Sequence, residues 1–363
     1  MSLTQREVRP TLQRSIRNSA RSLARLITTP LSPGDYLDLF LPLRAGAPLR
    51  GRVISVRPET ADATTVTILT GRGWRGHLPG QYLRIGVDVD GVRLWRSYSI
   101  TSPPTWHDRL VSITVRAIPD GVVSNHILRA LTPGTMLMLD QAVGFFTQPD
   151  PLPAKVLFLT AGSGLTPVMG MLRSYRFPNA VLVHSAPTPE RMMFREELHR
   201  MVADGRLTLV ERFTEAEGKL PVGDLDTVVP DWRQREAWAC GPAPLLNDAE
   251  QHWADQGLTD NLHVERFHVE LVVEGEGGEA HFTRSDVRAH GDAAEPLLDA
   301  GEDAGVLMPS GCRMGICFGC VAPLTEGAVR DLRTGDIVTA TPGEAVMIQT
   351  CVSAAAGSCS IDL

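Results

Sequence analysis

No run of apolar residues in this chain approaches the roughly 18 that a membrane-spanning helix needs, so no span is expected. The N-terminus lacks the apolar stretch of a secretory signal. Disulfide chemistry is equally poorly served. Of 6 cysteines, four belong to one motif, and Cys240 and Cys359 stand in different regions, so a reducing cytoplasm is expected. An excess of positive charge is also missing: the net charge of −7 argues against a general nucleic-acid binder. What is present is ordinary globular material, 43% hydrophobic and 21% charged over 363 residues, enough for two or three domains.

The organising stretch is Ser310-Gly311-Cys312-Arg313-Met314-Gly315-Ile316-Cys317-Phe318-Gly319-Cys320, answered far downstream by Cys351. Cys-x4-Cys-x2-Cys with a distant fourth Cys is the plant-type [2Fe-2S] spacing. Three thiolates come from one tight loop and the fourth from a returning segment, and Gly311, Gly315 and Gly319 let the loop close with backbone N–H groups aimed at sulfur. Zinc is the competing metal, but its loops usually pair one close Cys-x2-Cys with another, and the second pair is missing.

Ahead of this, residues 1–30 hold Arg6, Arg9, Arg14, Arg17, Arg21 and Arg25 against Glu7 alone. Leu12, Ile16, Ala20, Leu23 and Ile27 share a face of the helix predicted there, with arginines opposite. Such an arm either packs on its own body or docks, through residues 1–28, on an anionic membrane surface or acidic partner. Turn residues from Leu31 to Leu43 read as a strap that completes an N-terminal unit over residues 1–47.

Residues 48–150 alternate in short segments separated by Gly, Pro and Asp, which predicts an antiparallel β-barrel. On one of its strands lie Arg96, Ser97, Tyr98 and Ser99. An aromatic ring stacks on an isoalloxazine, a hydroxyl bonds its N5 edge, and a guanidinium clamps phosphate. Gly121, Val122, Val123 and Ser124 then open a helix, offering free N–H donors to a pyrophosphate.

Residues 151–267 read as an α/β unit with a parallel sheet. The apolar run Val156–Thr160 enters Gly162-Ser163-Gly164-Leu165-Thr166-Pro167, a strand, a Gly-rich turn and a helix, the geometry that brings dinucleotide phosphates to a helix start. The third glycine of the usual fingerprint is absent, and Pro167 suits a first helical turn. After the next strand come Ser185 and Arg191, with no carboxylate before Glu190, which favours NADPH over NADH. Cys240, Gly241 and Pro242 follow a further strand; a buried, inert Cys240 is one reading of that turn.

Together, Gly80-Gln81-Tyr82, Arg96-Ser97-Tyr98-Ser99 and Gly121–Ser124 resemble the flavin barrel of the ferredoxin-NADP reductase family. The order of flavin barrel, nicotinamide unit and C-terminal ferredoxin (residues 268–363, a β-grasp α+β fold) is similar to phthalate dioxygenase reductase and its relatives. The resemblance implies that Arg96 holds the flavin phosphate, Tyr98 stacks on the ring, Ser99 lies near N5 as a catalytic residue, and Gly121–Ser124 meet the pyrophosphate. It implies FAD, with FMN the alternative. It also sets Cys240, the second catalytic candidate, beside the nicotinamide carbon that carries hydride. Cys312, Cys317, Cys320 and Cys351 become the cluster ligands.

A hydride donor gives two electrons, an iron-sulfur cluster accepts one, and a flavin placed between them reconciles the two. The expected activity is an NADPH-dependent reductase that feeds single electrons to an oxygenase-type acceptor from the cytoplasm or the inner membrane face. The N-terminal region resembles reductases that serve membrane diiron enzymes such as acyl-CoA desaturases and alkane hydroxylases. A soluble ring-hydroxylating dioxygenase is the rival acceptor, and a redox-sensing adaptor without turnover is the alternative of another class.

Overall fold

The computed structural model describes residues 33–105, 108–119, 121–267, 275–311, 313, 315 and 318–363. The helix expected in residues 1–28, the strand expected over residues 269–273, and Cys312 and Cys317 lie outside the described residues.

The strap between Leu31 and Leu43 is not all turn, as its composition suggests: a helix, α1, runs Pro33–Phe40. Proline opens it because the first helical position has no intrahelical use for an N–H. Six antiparallel strands follow, β1 (Arg50–Thr60), β2 (Ala63–Thr70), β3 (Tyr82–Val89), β4 (Val92–Ser99), β5 (Leu110–Arg116) and β6 (Met136–Leu139), ordered β4-β3-β6-β1-β2-β5. Alternation places Val53, Val66, Ile68, Leu83, Ile85, Val111 and Ile113 in one core. A bridge from Ile100, just beyond β4, to Ile113 in β5 joins the two ends of the sheet, which curls it toward a barrel. Helix α2 (Val122–Arg129) packs Val123 and Ile127 into that core.

A five-stranded parallel sheet comes next: β7 (Val156–Ala161), β8 (Ala180–Ala186), β9 (Thr208–Phe213), β10 (Glu236–Cys240) and β11 (Leu262–Glu265), ordered β11-β10-β7-β8-β9. Leu157 and Phe158 point to opposite faces and both are 0% exposed, so β7 is covered on both sides and needs a continuous apolar sequence. The chain builds outward from β7 through β8 to β9, then returns to start again at β10. The crevice at the carboxyl ends of β7 and β10 is therefore a topological switch point, the usual ligand position in open α/β sheets. Helices α3 (Leu165–Ser174) and α4 (Ala243–Asp255) begin there.

The last sheet is mixed, with β12 (Gly278–Phe282), β13 (Val287–Gly291), β14 (Val321–Asp331), β15 (Ile337–Ala340), β16 (Val346–Gln349) and β17 (Ser353–Ile361). Its order is β13-β12-β17-β14-β15, with β16 also on β14, and β12 pairs with β17 in parallel. Helix α5 (Leu297–Asp303) buries Leu297, Leu298 and Ala300 against it, giving the α+β ferredoxin-like unit. Among the described residues no helix is long and apolar enough to cross a membrane.

Candidate functional site

A cavity of about 380 Å³ opens where the end of β4, the end of β5 and the start of α2 converge. Arg96, Ser97, Tyr98, Ser99, Gly121, Val122, Val123 and Ser124 all line it, so two sequence motifs more than twenty residues apart share one wall. Burial drives the Tyr98 hydroxyl above its ordinary range and keeps it neutral, although the Arg96 charge pulls the other way. Arg96 is half-buried, with Nη1 donating to the Trp95 carbonyl at 2.7 Å. Ser124 Oγ donates to the Gly121 carbonyl at 3.1 Å, so its hydroxyl is engaged within the turn. A Cβ on Gly121 would lie 2.4 Å from Ser124 Oγ and 2.5 Å from Ile118 Cγ1, so those side chains would have to shift. Among the described residues, the buried Ser97 hydroxyl has no partner. A flat, polar-edged group such as a flavin fits this chamber: an aromatic wall, a cation, an unengaged hydroxyl and a helix start.

Ser163 and Thr166 reach the same cavity from the Gly-rich turn after β7. Gly162 adopts a left-handed φ of 55°, and the Thr166 hydroxyl donates to the Ser163 carbonyl at 2.9 Å. Gly164 lies against the end of β10, and a Cβ there would be 2.0 Å from the Cys240 carbonyl oxygen. Gly164, Pro167, Cys240, Gly241 and Pro242 thus gather at the switch point between β7 and β10 but do not line the flavin-shaped cavity. The Cys240 thiol is fully buried, and burial raises its pKa well above the ordinary thiol value, with the charge of Glu265 adding to it. A thiol held protonated in this way is a poor nucleophile.

Ser185, next to last in β8, is half-buried beside His184, whose Nδ1 lies 2.8 Å from Thr160 Oγ1. Burial and the Arg116 charge push His184 down to about 3, so the ring is neutral. Arg191 donates to Asp62 at 3.0 Å, tying the parallel-sheet unit to the β1–β2 turn of the barrel. Burial opposes ionisation of Asp62, but hydrogen bonds from Thr60 and Arg191 and the charge of Arg116 outweigh it and hold the carboxyl below its usual range. Arg191 therefore faces a carboxylate through one of its nitrogens.

The cavity also contains residues that were not singled out as site residues: Tyr82, Arg116, Ser163, Glu265 and Phe267. Glu265 is the most distinctive, since burial pushes its carboxyl up to about 7. The available signal was its place at the carboxyl end of the last parallel strand, where such sheets put ligands.

At the cluster loop, Cys320 and Cys351 are buried with their sulfurs 3.2 Å apart, too far for a disulfide and close enough to share one metal. Gly315, at a left-handed φ of 71°, donates its N–H to Cys351 Sγ at 3.3 Å. A Cβ at Gly315 would crowd Val352 at 3.0 Å. The loop carbonyl of Gly315 accepts from Gln349 Nε2 at 2.9 Å, and Arg333 Nη1 braces Gln349 at 3.0 Å. Arg313 ties the loop to α5 through Asp299 at 2.9 Å and Glu302 at 2.6 Å. A backbone N–H aimed at a buried thiol pair suits thiolate-held iron. Phe318 of the loop lines a second cavity together with Tyr82, which also lines the flavin-shaped one, so the cluster loop lies beside that cavity.

Comparison with known proteins agrees with both centres. The family described as an oxidoreductase FAD-binding domain matches residues 70–147, and the 2Fe-2S iron-sulfur cluster binding domain matches residues 281–356. An NADPH oxidoreductase of Mycobacterium tuberculosis is 47% identical over 357 residues, covering 95% of this chain and 92% of that one. A glycine betaine monooxygenase reductase subunit of Chromohalobacter salexigens is 29% identical over 83% of this chain and 91% of its own. Phthalate dioxygenase reductase shares the fold, with a TM-score of 0.61 at 20% identity over 86% of this chain and 97% of that one. By its nearly full-length kinship to the mycobacterial protein, the chain belongs to the family of NAD(P)H-dependent oxidoreductases that carry FAD and a [2Fe-2S] cluster in one polypeptide.

Proposed function

We propose that the chain draws on NADPH and delivers single electrons to a membrane-bound diiron enzyme, a fatty-acyl desaturase or alkane hydroxylase, at the inner face of the membrane. Bound flavin supplies the exchange between a hydride donor and one-electron carriers. The observation that carries the relay in this reading is the shared cavity in which barrel residues Arg96–Ser99 and Gly121–Ser124 meet Ser163 and Thr166 of the dinucleotide turn.

In this reading Arg96 takes the flavin phosphate, Tyr98 covers the ring, the Ser97 and Ser99 hydroxyls meet its polar edge, and the turn from Gly121 to Ser124 receives the pyrophosphate. Gly162, Gly164, Thr166 and Pro167 shape the nicotinamide crevice with Gly241 and Pro242, and the neutral Cys240 thiol positions the ring. Ser185 and Arg191 receive the 2'-phosphate, Arg191 exchanging Asp62 for it. Cys312, Cys317, Cys320 and Cys351 hold the iron. The working units are residues 48–150, 151–267 and 268–363.

The mycobacterial relative's name supports NADPH. The basic N-terminal sequence supports a membrane acceptor. The reductase subunit of glycine betaine monooxygenase supports an oxygenase acceptor, and the second reading is a soluble ring-hydroxylating dioxygenase. No relative named above supports an adaptor without turnover. Purified protein mixed in turn with membranes carrying a desaturase, membranes carrying an alkane hydroxylase, and a soluble ring-hydroxylating dioxygenase decides between them. NADPH-dependent product formation is expected with a membrane enzyme, and product with the dioxygenase alone would overturn the assignment.

A further inference from the structure

We propose that the segment Tyr36–Leu41, with the neighbouring turn that carries Arg72 and Arg75, is a membrane-contact face whose occupant is an anionic lipid bilayer. The first ground is an inverted helix. α1 and the residue after it expose Tyr36 at 41%, Leu37 at 50%, Leu39 at 72%, Phe40 at 82% and Leu41 at 58%, while Asp38 is 8% exposed. A helix packed only on its own domain does the reverse. Asp38 is held by Arg44 at 2.7 Å, so the inward carboxylate is neutralised and the outward side is apolar. Elsewhere exposed large apolar residues are scattered through the sequence; here five fall within six positions.

The second ground is charge. The Arg72 N–H donates to the Leu43 carbonyl at 3.0 Å, which fixes the turn beside the end of the segment. Arg72 and Arg75 are exposed on that turn, and Leu78 beyond them is 56% exposed. Upstream, residues 1–30 hold six arginines and one glutamate in a chain whose net charge is −7. Large apolar side chains flanked by guanidiniums match the acyl boundary and the anionic headgroups of a bilayer. An acidic protein would satisfy the arginines and leave the apolar surface exposed.

The inference deepens the reading of a membrane-bound acceptor and rests on it for its setting, but its test is independent of that acceptor. Full-length holoprotein is floated with protein-free vesicles of phosphatidylcholine containing phosphatidylglycerol, and with phosphatidylcholine alone. Wild type should float with the anionic vesicles and bind the neutral ones roughly tenfold less. The double variant Leu39→Asp with Phe40→Asp should lose about tenfold in anionic-vesicle binding while NADPH–ferricyanide turnover stays unchanged, because both side chains point outward. Equal binding by wild type and the double variant would overturn the proposal, as would binding only to native membranes that contain the acceptor. Vesicle binding together with electron delivery to a soluble dioxygenase alone would sink the acceptor reading and leave this face standing.

Discussion

Cys240 and Glu265 stand side by side at the carboxyl ends of β10 and β11, register partners in a parallel pair. One is a buried thiol kept protonated and the other a buried carboxyl pushed up to about 7, so burial holds both groups at this edge of the sheet toward their neutral forms. Burial, rather than a like charge, dominates both shifts.

A pH dependence follows for the flavin-free protein. Glu265 ordinarily titrates at 4.5 and here at about 7, so between those values the folded chain holds a proton that the unfolded chain has released. Its contribution to stability is fully present below 4.5 and is lost as pH rises through about 7, on the order of 3 kcal/mol in all. Glu265→Gln should flatten the fall in melting temperature between about pH 5 and 8. A variant whose melting temperature follows the wild-type curve would show that the carboxyl is not buried in this way.

Close packing makes a second prediction at Gly164. A methyl group there would meet the Cys240 carbonyl oxygen at 2.0 Å and the Gly241 nitrogen at 2.7 Å, and both neighbours are backbone. Gly164→Ala should therefore push β7 and β10 apart at their carboxyl ends, costing about 1–3 kcal/mol. The measurable result is a lower melting temperature and a KM for NADPH raised by roughly tenfold, with flavin content retained. Wild-type values for both quantities would refute the packing account.

Arg191 supplies the test of coenzyme choice. Its guanidinium now donates to Asp62, and a 2'-phosphate is the stronger partner because it carries more charge. Replacement by Ala should raise the KM for NADPH by about tenfold and that for NADH little, the value of one charge-assisted hydrogen bond. Equal losses with both coenzymes would remove Arg191 from the phosphate site.

Local chemistry made much of this legible in the sequence. The apolar run Val156–Thr160 ahead of Gly162 announces a doubly covered parallel strand and its turn, and the Cys312–Cys320 spacing announces a metal loop. Arg96–Ser99 and Gly121–Ser124 belong together in the sequence only through the family resemblance, and their meeting in one cavity follows from barrel closure. What sequence reading missed depends on long-range placement. Glu265 lines the same cavity as Tyr98 because β11 is added beyond β10 rather than beyond β9, and Arg191 finds Asp62 across 129 residues. The helix at Pro33–Phe40 was hidden by its Pro-Gly-Asp start, which reads equally well as a turn.

Anaerobic titration of the holoprotein with NADPH, followed by optical and EPR spectra, tests the electron relay most directly. Wild type should lose its flavin absorbance and gain the EPR signal of a reduced [2Fe-2S] cluster, whereas Cys317→Ser should lose the flavin absorbance without gaining that signal. A colourless protein, zinc in place of iron, or a Cys317→Ser chain that NADPH no longer reduces at all would contradict it.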